Sequence, residues 1–528
     1  MTRASSWQQA DEHRLFTFAR NLMTRYALIV INAVIGLVVL PFNVRHLGAE
    51  DYGLWMLTAS VTTYFSVLEL GYGGAVVKYV AEFRARRDAR GLNEVLSTMF
   101  FVFSAIGVLV YATAVAVSFL LSHIFNLAPG QAYTGQIVLL IIAVNVALHF
   151  VFSVYGGVIN GFERYYINNV VGTTFNVLTA AVNVLVLWLG YGLVELVAAT
   201  TITRLIPYWI YRQNAHKVFP ELRIRREYFN KERLRELTGF SVYLAVIDWS
   251  SKLTFMTDTL ILGMFLNTAV VGIYAVAQRL ADALLRMAHQ LHTFLFPAIV
   301  HRAVEGSVEG QRRLMVKATR FQLAIGVAMC GTVAAMSDVL IRAWIGPEFS
   351  AASPVLQLLA VTVVLRAWMG TPGMILKGTG HHRYFAVAMS VCAVANLLLS
   401  IVAVKPFGMI GVAWGTVIPV AVLAACCIFP RACRVVDMSI ARGYREVVWP
   451  TVWPAFIVVA VMMATRNAIP QTLFAVLTDL ACGGLLYVAI FFLLALPRDE
   501  REWFTTAINQ VTGLRAPGLG LRTRKSEA

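Results

Sequence analysis

Three ionisable residues, Asp248, Lys252 and Asp258, stand in the stretch VIDWSSKLTFMTD (246–258), which is otherwise apolar enough to cross a bilayer. Asp248 and Lys252 are four positions apart, close to one helical turn, and can pair. A second set follows in RLADALLRMAHQLH, where Arg279, Asp282, Arg286 and His289 recur at i, i+3, i+7 and i+10. At 100° per residue these four form a stripe about 80° wide. Asn21, Arg25 and Asn32 put a comparable face on an earlier apolar stretch, and Glu69, Lys78, Glu195, Arg204 and Arg366 lie in or near others. Arginine offers a planar fork that fits phosphate, whereas lysine acts as a point charge. A carboxylate inside a membrane can exchange partners with a proton or Na⁺. Each such charge costs about 2.5–3.5 kcal/mol at the centre of a membrane helix, so three cost roughly 8–10, more than the about 3–7 that the surrounding Leu, Ile, Phe and Val return. The helix carrying them must therefore meet a polar neighbour. Neutral pairing inside a packed bundle would satisfy the charges, and so would a water-filled path. Four cations (Arg25, Lys252, Arg279, Arg286) stand against three anions (Asp248, Asp258, Asp282), with His289 in addition, a balance that suits an anionic ligand.

The elements that must position these groups follow from composition. A chain of 528 residues with 59% hydrophobic and 14% charged side chains is far more apolar than a soluble globular protein. Apolar runs of spanning length recur fourteen times, from 18–42 to 472–496, with the charged stretches in the seventh (239–265) and eighth (269–297). The expected fold class is an all-α integral membrane protein of fourteen transmembrane helices. The polar start MTRASSWQQADEHR leads directly into a run of spanning length, so no short cleavable signal is expected. Under the alternation these spans impose, 33 Lys and Arg fall on one side and four (Arg45, Arg342, Lys405, Arg466) on the other. That asymmetry is the positive-inside pattern and places both termini in the cytoplasm. The net charge of +16 is thereby accounted for by topology and anionic membrane lipids, and nucleic acid is not an expected partner. Asn230 can cap a short surface helix over FNKERLREL. The six cysteines show no metal spacing and read as small core residues, no Lys follows a Gly as a Walker A motif requires, and no H-E-x-x-H occurs. An enzyme, a metal and a cofactor are accordingly not expected.

Internal repetition organises the helices. A single shift of the chain against itself superimposes LGAEDYGLW (47–55) on LNTAVVGIY (266–274), with Gly53 over Gly272, and GFERYY (161–166) on GHHRYF (380–385). It also carries Gly192 to Gly411 and Asn32 to Ser251. One offset at separate places implies two six-helix units, 1–237 and 238–436, followed by 437–528 with two further helices and a basic tail. Six is even, so both units enter from the same side and their symmetry axis is expected along the membrane normal. Gly157-x-x-x-Gly161 and Gly411-x-x-x-Gly415 read as points of close helix contact. Trp449, Trp453 and Trp503 read as interfacial anchors.

The stretch LPFNVRHLGAEDYGLWMLTASVTTYFSVLELGYGGAVVKYVAEF (40–83) resembles the opening signature of polysaccharide and oligosaccharide flippases, the Wzx-type branch of the multidrug/oligosaccharidyl-lipid/polysaccharide (MOP) exporter superfamily. DTLILGMFLNTAVVGIYAVAQRLADAL (258–284) is similar to its counterpart in the second lobe. The resemblance implies a bilobed, MATE-like bundle of the bacterial inner membrane that moves an undecaprenyl-pyrophosphate-linked glycan by alternating access, coupled to H⁺ or Na⁺. Arg25, Lys252, Arg279, Arg286 and Arg366 are then the candidates for a cationic substrate cavity, and Asp248, Asp258, Asp282 and His289 for ion coupling. Polysaccharide assembly proteins would be partners, and nothing demands more than a monomer. A multidrug exporter of the same superfamily would share the architecture with a more acidic cavity. A glycan polymerase or ligase would need a larger extracytoplasmic loop, and a scaffold would leave the polar stripes without a role.

Overall fold

The computed structural model describes the backbone of residues 14–65, 72–303, 308–497 and 500–501; of these, the side chains of 14–22, 25–27, 29–30, 33, 72–75, 236–248, 250–251, 254–255 and 289–303 are not described. All regular elements among the described residues are helical. The first half comprises α1 (Arg14–Phe65), α2 (Tyr72–Arg86), α3 (Ala89–Ile124), α4 (Gln131–Gly161), α5 (Tyr165–Trp188) and α6 (Leu193–Val218). The second comprises α7 (Lys231–Phe265), α8 (Thr268–Ala303), α9 (Val308–Trp344), α10 (Ala352–Gly378), α11 (His382–Val422) and α12 (Phe429–Val435). The short α13 (Ile440–Gly443), α14 (Trp449–Thr465) and α15 (Leu473–Ile490) follow. Ten helices among the described residues are long and apolar enough to cross a membrane, against the fourteen spans expected. One of the ten, His382–Val435, runs for 54 residues and is itself interrupted.

Two glycines make the interruptions. At Gly48 (φ 73°, ψ 175°) α1 breaks into two arms, and at Gly408 (φ 58°, ψ −139°) α11 does the same. Side chains rarely adopt such positive φ, so each break sits at a residue without a Cβ. After the second break, Gly411 and Gly415 pack the returning arm against the first, where a Cβ would stand 2.2 Å from the Ala403 carbonyl oxygen and 2.3 Å from Ser400 Oγ. Gly157 and Gly161 do the same for α4 against α2, with Val76 and Val80 filling the space a Cβ would need. Both small-residue motifs thus mark close packing, as expected.

The bundle's outer surface is apolar: Phe474, Trp188, Val108 and Val402 are among many large exposed hydrophobic side chains. A belt of this kind is what a hydrocarbon solvent selects. Inside, a continuous core joins the two halves, with Val44, Tyr52 and Leu57 of α1 in the same cluster as Ile261 of α7 and Val271, Tyr274 and Ala277 of α8. Of the six cysteines, Cys330, Cys392 and Cys433 are buried as expected, but Cys426 and Cys482 are exposed. Trp449 is also exposed, while Trp503 lies outside the described residues.

The connection between the halves is held to α3. Asn93 donates from Nδ2 to the Glu221 carbonyl (2.9 Å) and accepts the Arg223 amide at Oδ1 (2.8 Å). Ser97 bonds the Arg223 carbonyl and the Arg225 amide (both 3.2 Å), and Thr98 accepts from the Asn230 amide (3.0 Å). Leu222 is buried, which leaves Arg223, Arg225 and Arg226 exposed. Asn230 caps the next helix, accepting from the Glu232 and Arg233 amides. That helix is not the separate surface turn expected, because it continues without a break as α7 to Phe265. At the far end, buried Arg320 of α9 donates to Glu500 Oε2 (2.8 Å) and to the Glu446 carbonyl (2.7 Å), tying Glu500 to the second half.

Candidate functional site

Asp258 is 2% exposed and lies within the second half. Tyr274 of α8 donates to its Oδ2 at 2.5 Å, and Thr416 of α11 donates to the same carboxylate at 3.0–3.1 Å. Asn396, from the other arm of α11, donates from Nδ2 to Thr416 Oγ1 (2.8 Å), so amide, hydroxyl and carboxylate form one directed chain. The fully buried Asn396 Oδ1 has no hydrogen-bond partner among the described residues. Beside this chain is a cavity of about 30 Å³ lined by Asp258, Gln278, Asp282, Thr362, Arg366 and Thr416, among others. That volume holds about two waters. Asp282 lies within electrostatic reach of Arg286, Arg366 and Arg279.

Arg279 and Arg286 are exposed on α8. Arg279 reaches across to the first half, where its Nη2 is 3.5 Å from Met56 Sδ on the second arm of α1. It also interacts with the buried Tyr52 hydroxyl of that arm. Arg204, exposed on α6, is close enough for its charge to act on Arg279. Two guanidinium groups, one from each half, are thus within electrostatic reach of each other. Next to Arg204, the ring of Tyr208 stacks on Phe152 of α4 at 5.3 Å and 8°. One residue before Asp258, Thr257 turns toward α1 and meets the Tyr64 hydroxyl at 2.5 Å.

The expected site residues therefore separate into two groups. Arg279 faces the other half, whereas Asp258, Asp282 and Arg366 line a pocket enclosed by α7, α8, α10 and α11. Arg366, expected with the substrate cations, lines the same pocket as Asp258 and Asp282. Lys252 is half-buried on α7. The side chains of Arg25, Asp248 and His289 lie outside the described residues, as do those of Asn21, Ser251 and Phe255, and so does Glu69. Asn32 Oδ1 accepts from Asn176 Nδ2 (3.1 Å) of α5, and Thr24 from Asn169 (3.2 Å), so these two positions of α1 bond within their own half. The spacing of Asn169, Asn176 and Asn183 at sevens was a legible signal for that stripe. Sequence reasoning missed Tyr274, Thr416 and Asn396, and left Arg204 outside the site.

At the offset of the internal repeat, Asp258, Tyr274, Asp282, Arg366 and Thr416 correspond to Val39, Trp55, Thr63, Ala147 and Val197. The polar pocket has no charged counterpart in the first half, so the repeat architecture does not itself require it.

The family model described as "Polysaccharide biosynthesis protein" matches residues 18–303. The Haloferax volcanii protein named "Probable flippase AglR" is 21% identical over 411 residues, covering 76% of this chain and 80% of that one. Among solved structures, the lipid II flippase MurJ in an inward closed conformation superimposes with a TM-score of 0.69 at 13% identity, covering 92% of this chain and 99% of that one. An inward-facing multidrug resistance MATE family transporter of the MOP superfamily gives 0.63 at 15% identity, covering 78% and 99%. The helical bundle is therefore MurJ- and MATE-like, as the sequence resemblance implied. With a family model matched over more than half of its length, the chain belongs to the polysaccharide biosynthesis protein family.

Proposed function

We propose that this protein is a flippase for a lipid-linked glycan, carrying an undecaprenyl-pyrophosphate-linked oligosaccharide from the cytoplasmic to the opposite leaflet of the inner membrane. In this reading fourteen spans form two lobes that alternate in access, with both termini cytoplasmic. The observation that carries it is Arg279, an exposed cation of α8 whose Nη2 lies 3.5 Å from Met56 Sδ of the other half, with exposed Arg204 of that half within electrostatic reach. The arginines within reach there outnumber Asp282, and a pyrophosphate supplies several acceptor oxygens that the planar guanidinium forks can grip. A pyrophosphate cannot enter hydrocarbon without such compensation. An organic cation would meet the wrong sign of charge at this place. Ion coupling is assigned to Asp258: its carboxylate can take a proton, or a hard cation with the Thr416 hydroxyl as a neutral oxygen donor.

The test is translocation of a fluorescent polyprenyl-pyrophosphate oligosaccharide by the full chain in vesicles. Arg204→Gln and Arg279→Gln are each expected to lower the rate at least about tenfold, the effect of losing one charge-assisted contact of about 1.5–3 kcal/mol, with membrane insertion unchanged. Parental rates in both would remove the arginine pair from the mechanism, and transport of a fluorescent organic cation in place of the glycan would replace the reading by a multidrug exporter.

A further inference from the structure

The sequence repeat and the packing meet at one place. Ala49 and Thr268 are equivalent positions of the repeat, and so are Gly53 and Gly272. These four form a crossing between the second arm of α1 and the start of α8. A Cβ on Gly53 would stand 1.8 Å from the Thr268 carbonyl oxygen, and a Cβ on Gly272 would stand 2.2 Å from the Ala49 carbonyl oxygen. Each contact is the other with the halves exchanged. Such reciprocity, where residue i meets j and j meets i, marks a two-fold interface.

The surrounding turns also join the halves in both directions, through bonds that are not equivalent under the repeat. In one direction Asn126 donates from its backbone to the Gly263 carbonyl (2.9 Å) and from Nδ2 to the Leu266 carbonyl (2.5 Å). In the other, Arg45 donates to the carbonyls of Ile345 (2.8 Å) and Trp344 (3.4 Å), and Trp344 Nε1 donates to the Leu37 carbonyl (2.7 Å). Asn126 and Ile345 are again related by the same offset. All of these turns lie at the end of the bundle remote from the basic connections, and each of these bonds is an N–H donor meeting a neutral carbonyl, a set that holds without being costly to part. Arg279 is two helical turns beyond Gly272, and Met56, against which it rests, is one turn beyond Gly53.

We propose that the Gly53–Gly272 crossing is a two-fold-symmetric seal that closes this end of the bundle, and that closing it seats Arg279 against α1. The link to Arg279 rests on the flippase reading; the seal does not. Close approach of two backbones leaves no space for even a methyl group at either glycine, so an added Cβ must hold the halves apart.

The test uses the full chain in vesicles, with Cys426 and Cys482 replaced by Ser and spin labels on Tyr133→Cys and Ala351→Cys, exposed positions of the two halves at the sealed end. Gly53→Ala and Gly272→Ala are each expected to cut the short-distance population at least about fivefold, as overpacking a tight contact does. Because the contact is reciprocal, the two effects are expected to be similar in size. Gly484→Ala, whose Cβ meets nothing within 4 Å, should leave the distances unchanged. Arg45→Met, which removes two cross-half hydrogen bonds without filling the crossing, should shift the population in the same direction. Either glycine variant, inserted at the parental level, with parental distances overturns the seal. Where neither glycine variant inserts, parental distances in Arg45→Met overturn it. The distances do not depend on any substrate, so a parental chain that opens and closes yet moves no glycan keeps the seal and overturns the flippase reading.

Discussion

Asp258 is held by two hydroxyl groups and, through one of them, by an amide, all of them buried. Tyr274→Phe removes a bond to a buried carboxylate, and should lower thermal stability by about 1–3 kcal/mol, read as a shift of the unfolding midpoint in detergent. Asp258→Asn keeps the shape but cannot change its charge; glycan movement should then stop responding to an imposed pH or Na⁺ gradient, and a full response in that variant would relocate coupling elsewhere. The carboxylate was legible from the sequence because a charge in an apolar stretch needs an explanation. Its partners were not: threonine, asparagine and tyrosine are common in membrane helices, and Thr416 lies 158 positions away. Arg366 shows the converse, since its type was read correctly as cationic but its place depended on how α10 turns in the bundle.

At the scale of elements, glycines and buried polar ties decide how helices meet. Gly161→Val would drive a branched side chain into Val80, already 2.4 Å from a Cβ at that position, and should destabilise the first half by about 1–3 kcal/mol. Glu500→Gln leaves Arg320 charged, and both side chains are buried, with Arg320 4% and Glu500 7% exposed. Breaking such a buried pair from one side costs about 3–5 kcal/mol, so the variant should unfold at lower temperature, more than Glu348→Gln at an exposed turn. The small-xxx-small motifs were legible because spacing alone brings both residues to one helix face. The joining of FNKERLREL to α7 was not, because a capping asparagine announces where a helix begins and says nothing about how far it runs.

For the whole molecule, the repeat read from a few loosely matched residues corresponds to a physical contact, since Gly53 and Gly272 touch each other. The repeat does not extend to charge, because the residues equivalent to Asp258, Asp282 and Arg366 in the other half are uncharged. Periodicity and charge made the helical class and the inward polarity legible; which groups converge depended on crossings between segments far apart in the chain, which no local pattern encodes.

The segment joining the halves carries a consequence of its own. From Glu221 onward its backbone is gripped by Asn93, Ser97 and Thr98, so the second half arrives with a built-in handle that the first half is shaped to receive. Two separately translated polypeptides, 1–220 and 221–528, should therefore find each other in one cell and co-purify through an affinity tag on either piece. Replacing Asn93 with Ala in the shorter piece should reduce the recovered partner several-fold, by the loss of two hydrogen bonds worth about 1 kcal/mol each.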